Sequence, residues 1–427
     1  MALEKTILDS GLTIYNDRIP GAWNNDVTVF VPYGSVDEQP GHEGVAHVFE
    51  HCVHLQTDDF SDCSALRRYA TKHGMLTNAN TLFTRTLYYA NGLGLEPNMH
   101  YLSQILRHTH FPEDMVEHEL KAVRREMTTS LDSVEEMHEY AALNAMFGLP
   151  YGRSVGGHHD KILFDTDTLK DLHSKYYKLG NMALIVSGKA KLDEVARLAD
   201  QYFQAGENDS FQAGAPLSVV WGEHLRTGLV RDDSHNVHMS VSYPMSPEFR
   251  NRFNERRLEF GVAQHALATA CFERMRHDKG ISYDGSIQAS TYNHPNAWSI
   301  SGDVTVDKEN VSIASEVFDE IYRKRGREFG DEELQGMLAQ HKHSVARQLQ
   351  NTGVRVQSHV NNLQAYRDPK DLRRAMRKLD IVRTSDIRRA IDEIADYAAQ
   401  TPQYTHLTGT RDAIGDVERI IDQSEIA

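Results

Sequence analysis

Gly44-Val-Ala-His-Val-Phe-Glu-His51 carries the pattern H-x-x-E-H on His47, Glu50 and His51. On a helix, positions i and i+4 share a face, so both imidazoles can reach one ion. Glu50 projects from the same side, one turn after His47, within reach of a water on that ion. The flanking residues fit a helix. Val45, Val48, Phe49, Cys52 and Val53 form an apolar stripe at helical spacing, and His47, Glu50, His51 and His54 form the stripe beside it. Gly41 and Gly44 lead into the segment, and polar Gln56-Thr-Asp-Asp59 follows it. Three histidines and a carboxylate next to an apolar surface are costly to bury without a shared purpose. With 23 histidines in the chain, a chance match is the competing explanation, and the five residues alone do not choose between the two.

Composition narrows the class. A chain of 427 residues exceeds one ordinary core and suggests two or more domains. Its 40% hydrophobic and 25% charged content is that of a soluble globular protein. No apolar run reaches the length of a bilayer span. The segment Met1-Ala-Leu-Glu-Lys-Thr-Ile7 lacks both the cationic and the apolar parts of a signal peptide and is not arginine-rich. A cytoplasmic protein without a membrane partner is expected. Cys52, Cys63 and Cys271 are odd in number and have no paired spacing, which reads as reduced thiols. Cys52 follows His51 but points with the apolar stripe. A net charge of −15 argues against nonspecific nucleic-acid binding, which needs clustered Lys and Arg. Arg373-Arg-Ala-Met-Arg377 is balanced by nearby acids and is expected to be a solvated helix face.

The chain reads as an α+β protein of two similar domains. The first half opens with strand-like Gly11-Leu-Thr-Ile-Tyr15 and Asp26-Val-Thr-Val-Phe-Val31, whose alternation suits a half-buried strand. It closes with the apolar run Met182–Gly188 and an amphipathic helix over 192–203. The breaker-rich stretch Ala205-Gly-Glu-Asn-Asp-Ser-Phe-Gln-Ala-Gly-Ala-Pro216 is the linker candidate. Thr227–Val230 and Val237–Tyr243 then repeat the opening pair of strands. Helices are expected around 257–278, 308–324 and 331–350, with a strand from Ile281 to Tyr292. The resulting division is an N-terminal domain over 1–207, a linker over 208–219 and a C-terminal domain over 220–427.

A catalytic zinc takes three protein ligands and keeps one open position. A helix starting after Pro112, with Val116, Leu120, Val123 and Met127 as its apolar face, offers a third. Glu119 and Glu126 are two turns apart and project on nearly one side. Glu113, Glu117, His118 and Arg124 lie close by, so a charged surface face is the better explanation of these carboxylates taken alone.

The chain resembles the pitrilysin-type zinc peptidases, the M16 family, an inverzincin group that includes insulin-degrading enzyme and the mitochondrial processing peptidase. That family joins H-x-x-E-H to a downstream E-x-x-V-V-x-x-E, and Glu119-Leu-Lys-Ala-Val-Arg-Arg-Glu126 matches it except at one valine. Further marks are Gly34-Ser-Val-Asp-Glu38, Asn78-Ala79 with Thr81, Thr86-Leu-Tyr-Tyr89, Pro150-Tyr-Gly-Arg153 with Gly157, and Gly180-Asn-Met-Ala-Leu184. In the second half, Phe272-Glu-Arg-Met-Arg276 leads into Gly280-Ile-Ser-Tyr283, like the family's helix–glycine–strand that bears a substrate-binding arginine and tyrosine.

The resemblance implies one Zn2+ per chain on His47, His51 and Glu126, with Glu119 supporting the site from outside the ligand set. It implies a metalloendopeptidase in which Glu50 is the general base and peptide substrates pair with the edge strand at Asn78 and Ala79. Arg276 and Tyr283 would hold substrate carbonyls and stabilise the oxyanion. Two mostly antiparallel sheets with packed helices would form a clam-like half-chamber, completed in a homodimer like that of small single-chain bacterial members. The alternative is a noncatalytic relative that binds peptides or supports a partner subunit. One departure is His54, where an apolar residue is usual. It could perturb the metal site or be an ordinary hydrogen-bonded helix histidine.

Overall fold

The computed structural model describes residues 3–204, 219–282, 285–294, 297–366, 369 and 372–426. All but the last residue of the expected linker 208–219, and Tyr283, therefore lie outside the described residues. Two compact units divide the chain, and neither is continuous in sequence. The first comprises Met1–Thr129, Ser154–Leu217 and Gln348–Arg373, the second Ser130–Arg153, Ser218–Arg347 and Arg374–Ala427.

The strands of the first unit are β1 (Glu4–Ile7), β2 (Thr13–Arg18), β3 (Asn25–Val31), β4 (Gln56–Thr57), β5 (Leu76–Thr81), β6 (Thr86–Gly92), β7 (Thr109–His110) and β8 (Ala183–Gly188). Six of them form a sheet in the order β1-β2-β8-β3-β6-β5. Only the β2–β8 pairing is parallel. Helices α1 (Val45–Cys52), α2 (Cys63–Lys72), α3 (Leu95–Arg107) and most of α4 (Glu113–Asp132) belong here; α5 (Val134–Phe147) belongs to the second unit. Helices α6 (Thr166–Tyr176) and α7 (Leu192–Tyr202) return to the first. Val27, Val29 and Val31 of β3 share one core with Val45, Val48 and Phe49 of α1 and Val116, Val123 and Met127 of α4.

Strand β3 departs from the half-buried expectation, because every one of its residues is buried. Its second face is covered from far along the chain. After α8 (Pro247–Glu255), α9 (Arg257–Glu273), α10 (Val311–Tyr322) and α11 (Asp331–Gln348) comes α12 (Thr352–Tyr366). Val356 and Val360 of α12 pack on Tyr15, Phe30, Leu87 and Ile185. An ionic anchor accompanies this apolar contact. Asp17, 1% exposed, accepts from Arg355 Nε at 2.7 Å, His359 Nε2 at 2.8 Å and Arg373 Nη2 at 2.8 Å. Burial alone would raise the Asp17 carboxyl, but hydrogen bonds from His359 and Arg355 hold it down at about 2. Arg373 is thus not the solvated cation that the sequence suggested; a buried carboxylate 356 positions away claims it.

The second unit repeats the first in its central strands: β9 (Arg226–Val230), β10 (Val237–Pro244), β11 (Ser286–His294), β12 (Ala297–Val306) and β13 (Tyr404–Gly409), with the short β14 (Arg419–Ile420). The sheet order β11-β12-β10-β13-β9-β14 mirrors β5-β6-β3-β8-β2-β1. Pairing senses agree for the first five strands, including the single parallel step between β13 and β9. Only the sixth differs, because β14 runs parallel to β9 whereas β1 opposes β2.

One face of the second sheet is apolar through Met239, Val241, Ile300, Val304 and Leu407. The other carries a buried polar chain beneath α5. Ser240 donates to Asp303 Oδ1 at 2.6 Å, so His138 Nε2–H donates to Ser240 at 2.8 Å. Thr408 then donates to His138 Nδ1 at 2.9 Å and accepts from His406 Nε2–H at 3.1 Å. Thr227 closes the series by donating to His406 Nδ1 at 2.9 Å. Donation from Ser240 to Asp303 gives each proton in the series one place, against a burial that raises the Asp303 carboxyl. Burial drives His138 well below its ordinary range and His406 down to about 3, so both rings are neutral.

Two outcomes are expected. Asp17→Asn leaves Arg355 and His359 buried without their anion and destabilises the first unit by about 3–5 kcal/mol, read from urea unfolding at pH 7. The contribution of Asp17 persists above about pH 4 and disappears as pH falls toward 2, because its folded value is the lower one. In the second unit the unfolded histidines titrate near 6.5 while the folded ones stay neutral. Stability there is full above that pH and declines as pH drops from 7 to 5. Buried Trp298 reports that loss through its emission.

Candidate metal centre

Helix α1 is only eight residues long, so its start must be fixed from outside. Its N-cap is Gly44, at φ 89° and with no side chain to cap. The Glu38 carboxylate does that work, accepting the Gly44 and Ala46 N–H groups at 2.9 Å each. A Cβ at Gly44 would lie 2.2 Å from the Gly156 carbonyl, so glycine is required by space as well as by φ. Gly34-Ser-Val-Asp-Glu38 thereby sets where the H-x-x-E-H helix begins, and the loop at Gly156 holds it from behind.

The three expected ligands converge. His47 Nε2 lies 3.6 Å from Glu126 Oε1, and His51 Nε2 lies 3.3 Å from Glu126 Oε2. The two rings meet edge to face at 4.8 Å, and one donor atom from each residue falls within 4.8 Å of the others. Donors about 2.0–2.1 Å from a tetrahedral zinc lie about 3.3 Å apart, so this spacing suits ligands around an ion better than hydrogen bonds between themselves. His47 Nδ1 is buried without a hydrogen-bond partner, leaving Nε2 as the nitrogen through which an ion would relieve the ring's burial. His51 Nδ1 donates to Glu119 at 2.9 Å, which turns its Nε2 lone pair toward the cluster.

Helix α4 makes this possible. Val116, Leu120, Val123 and Met127 are buried as its periodicity predicts, which sends Glu119 and Glu126 to the other side. Two turns apart, they meet opposite nitrogens of one imidazole.

Electrostatics follow from the crowding of acids. Burial pushes His47 down to about 4, with the neighbouring His51 adding to it. His51 is held up at about 10 despite burial, because the hydrogen bond to Glu119 and the facing Glu126 carboxylate both favour the charged ring. The His51 ring lowers Glu119 and Glu126 in turn. Burial raises Glu50, against a hydrogen bond from Thr81 that lowers it.

His54 stands apart from the donors. Its Nδ1 pairs with the Glu50 carbonyl at 3.2 Å, its ring faces Tyr101, and burial pushes it down to about 4. It is a hydrogen-bonded helix histidine. Cys52 is fully buried in the core.

The site opens into a groove of about 880 Å3. His47, Glu50, His51, His54, Glu119 and Glu126 line it. One wall is β5, an edge strand of its sheet, with Asn78 and Ala79 along it. The other is the face of α2 bearing Cys63, Leu66, Arg67, Ala70 and Thr71. Arg276 lies in the second unit, on the π-helical turn Arg274–Asp278 that ends α9, with its guanidinium over the Phe272 ring at 5.3 Å. Gly280 terminates that turn at φ 65° as expected. Two contributors escaped the sequence reading: Glu38 as the cap of α1, and Thr81, whose hydroxyl donates to Glu50 Oε2 at 2.6 Å. Both stood in recognisable motifs, but no spacing rule links Thr81 to Glu50, 31 positions away.

Comparison with known proteins identifies the family. Residues 18–157 match the family described as Insulinase (Peptidase family M16), and 164–340 match the Peptidase M16 inactive domain. The whole donor set falls within the first match. A Rickettsia bellii protein named uncharacterized zinc protease is 22% identical over 74% of this chain and 76% of its own length. The beta subunit of the mitochondrial-processing peptidase of Saccharomyces cerevisiae is 28% identical over 50% of this chain; the match spans 47% of that subunit. A solved protease from Helicobacter pylori superposes with TM-score 0.80 at 18% identity, covering 95% of this chain and 99% of the other. The two matched regions take in most of the sequence, and the chain belongs to the M16 family of peptidases.

Proposed function

We propose that the protein is a zinc-dependent endopeptidase acting on peptides or small unfolded proteins. The observation that carries this reading is the convergence of His47, His51 and Glu126 beside Glu50 in a groove lined by an edge strand. Zinc on His47, His51 and Glu126 would supply Lewis-acid polarisation of the water and of the scissile carbonyl. Glu50 takes the proton of the attacking water and later delivers it to the leaving amine. Its elevated affinity for protons suits both transfers, since burial disfavours the bare carboxylate. Glu119 keeps the His51 ring in the tautomer that leaves Nε2 free.

The peptide adds as a further strand to β5 along Asn78 and Ala79, so main-chain bonds dominate and sequence preference is weak. Arg276 and Tyr283 hold substrate carbonyls and stabilise developing negative charge, roles that rest on the family pattern. One zinc per chain, a homodimeric assembly and a cytoplasmic location complete the proposal. Three free cysteines, two of them buried, support a reducing compartment.

Glu50→Gln should retain zinc and lose about 10²–10⁴-fold in turnover of a quenched peptide. Wild-type cleavage by that variant would sink the mechanism. Metal analysis separates ligand from neighbour: Glu126→Ala protein should emerge from dialysis without zinc, whereas His54→Ala should keep one equivalent per chain.

A further inference from the structure

We infer that Thr81 is a positioning residue for Glu50, coupling the strand that would receive the peptide to the group that would move the proton. The inference rests on the peptidase reading above and goes beyond it by assigning a residue to the aim of the base. Thr81 is the last residue of β5 and pairs with Thr86 of β6. Its hydroxyl has one proton to give. Glu50 Oε2 lies at 2.6 Å and the Ala46 carbonyl at 3.5 Å, so the carboxylate receives it.

The terminal torsion of a glutamate is broad and roughly two-fold. A carboxylate on a short helix therefore has no intrinsic reason to keep one oxygen toward a water. The hydroxyl bond at Oε2, beside a second bond from the Thr81 backbone, fixes the carboxylate plane, and only the hydroxyl bond depends on the side chain. Misplacing a reacting group by about 1 Å can cost about 100-fold, so one such bond is worth retaining. Threonine suits the task better than serine because its branched β-carbon restricts χ1 and the position lies in a strand.

Geometry also places this bond at the junction of two functions. The backbone of Thr81 belongs to the edge strand, and its side chain reaches across to α1. A peptide that extends the sheet orders β5, and through Thr81 the same ordering reaches Glu50. Substrate contacts made remotely along β5 would then appear in turnover as well as in binding.

The test uses the zinc-loaded full chain. Thr81→Val keeps shape and strand preference and removes the hydroxyl; Thr81→Ser keeps the hydroxyl. The expected result for Thr81→Val is kcat down about 10-fold or more, with KM within 2-fold, one zinc per chain and an unchanged melting midpoint. Thr81→Ser should recover most of the turnover. Peptide affinity, read by fluorescence anisotropy in a Glu50→Gln background, should be the same with Thr81 or Val at this position. Wild-type kcat in Thr81→Val, or Thr81→Ser as impaired as Thr81→Val, overturns the assignment. So does loss of zinc or of peptide affinity on removing the hydroxyl, since that makes Thr81 merely structural. An inactive Glu50→Gln beside a fully active Thr81→Val overturns this inference alone. A Glu50→Gln protein that cleaves at the wild-type rate overturns the peptidase mechanism and this inference with it.

Discussion

The imidazole of His51 is gripped at both nitrogens, by Glu119 at Nδ1 and by Glu126 across from Nε2. That one ring ties α1 to α4 at two points a double turn apart. It sets the rotation of both helices about their axes and so decides which way His47 and Glu50 face. The grip is possible because both helices bury their opposite faces in one core, where Val48 and Phe49 share a cluster with Val123 and Met127. Three acids and two imidazoles in so small a volume are poorly balanced by themselves. The opposite displacements of His47 and His51 express that imbalance, one ring too buried to charge and the other too well bonded to discharge.

The two sheets carry the same five-strand order with the same pairing senses, yet the surfaces they present have diverged. In the first unit, α12 covers the sheet with valines and an ionic anchor on Asp17. In the second, α5 covers the equivalent strands with a histidine threaded into a run of hydroxyls that ends at Asp303. Each covering helix comes from a part of the chain remote from the strands it covers. The polar fillings are demanding, because a buried charge or ring without its partners costs several kcal/mol. They tolerate little slippage of the helix against the sheet, as apolar packing alone would not ensure.

Much of the site was legible in one dimension. Positions four apart on a helix share a face, so His47 and His51 could be paired on spacing alone; the buried stripe of α4 likewise sent Glu119 and Glu126 to a common side. The duplicated strand openings at 26–31 and 237–243 were visible as alternation. What spacing could not reveal was the cover on β3, since alternation reports one buried face and says nothing of a helix arriving from residue 352. Arg373 looked solvated for the same reason: its acidic neighbours in sequence are not the carboxylate it meets.

Sequence by itself determined the local geometry of this protein: the helical register of H-x-x-E-H, the carboxylate pair on α4 and the strands that recur in both halves. Those features follow from 3.6- and 2-residue periodicity, which act over a few positions. Only the tertiary structure decided that Glu38 would cap α1, that Thr81 would reach Glu50, and that helices would be exchanged between the two units. The last two join residues whose separation along the chain carries no information about their distance, and the cap depends on how the loop before α1 folds back. They are set by which faces remain to be buried once the sheets have formed, a condition of the whole packed core.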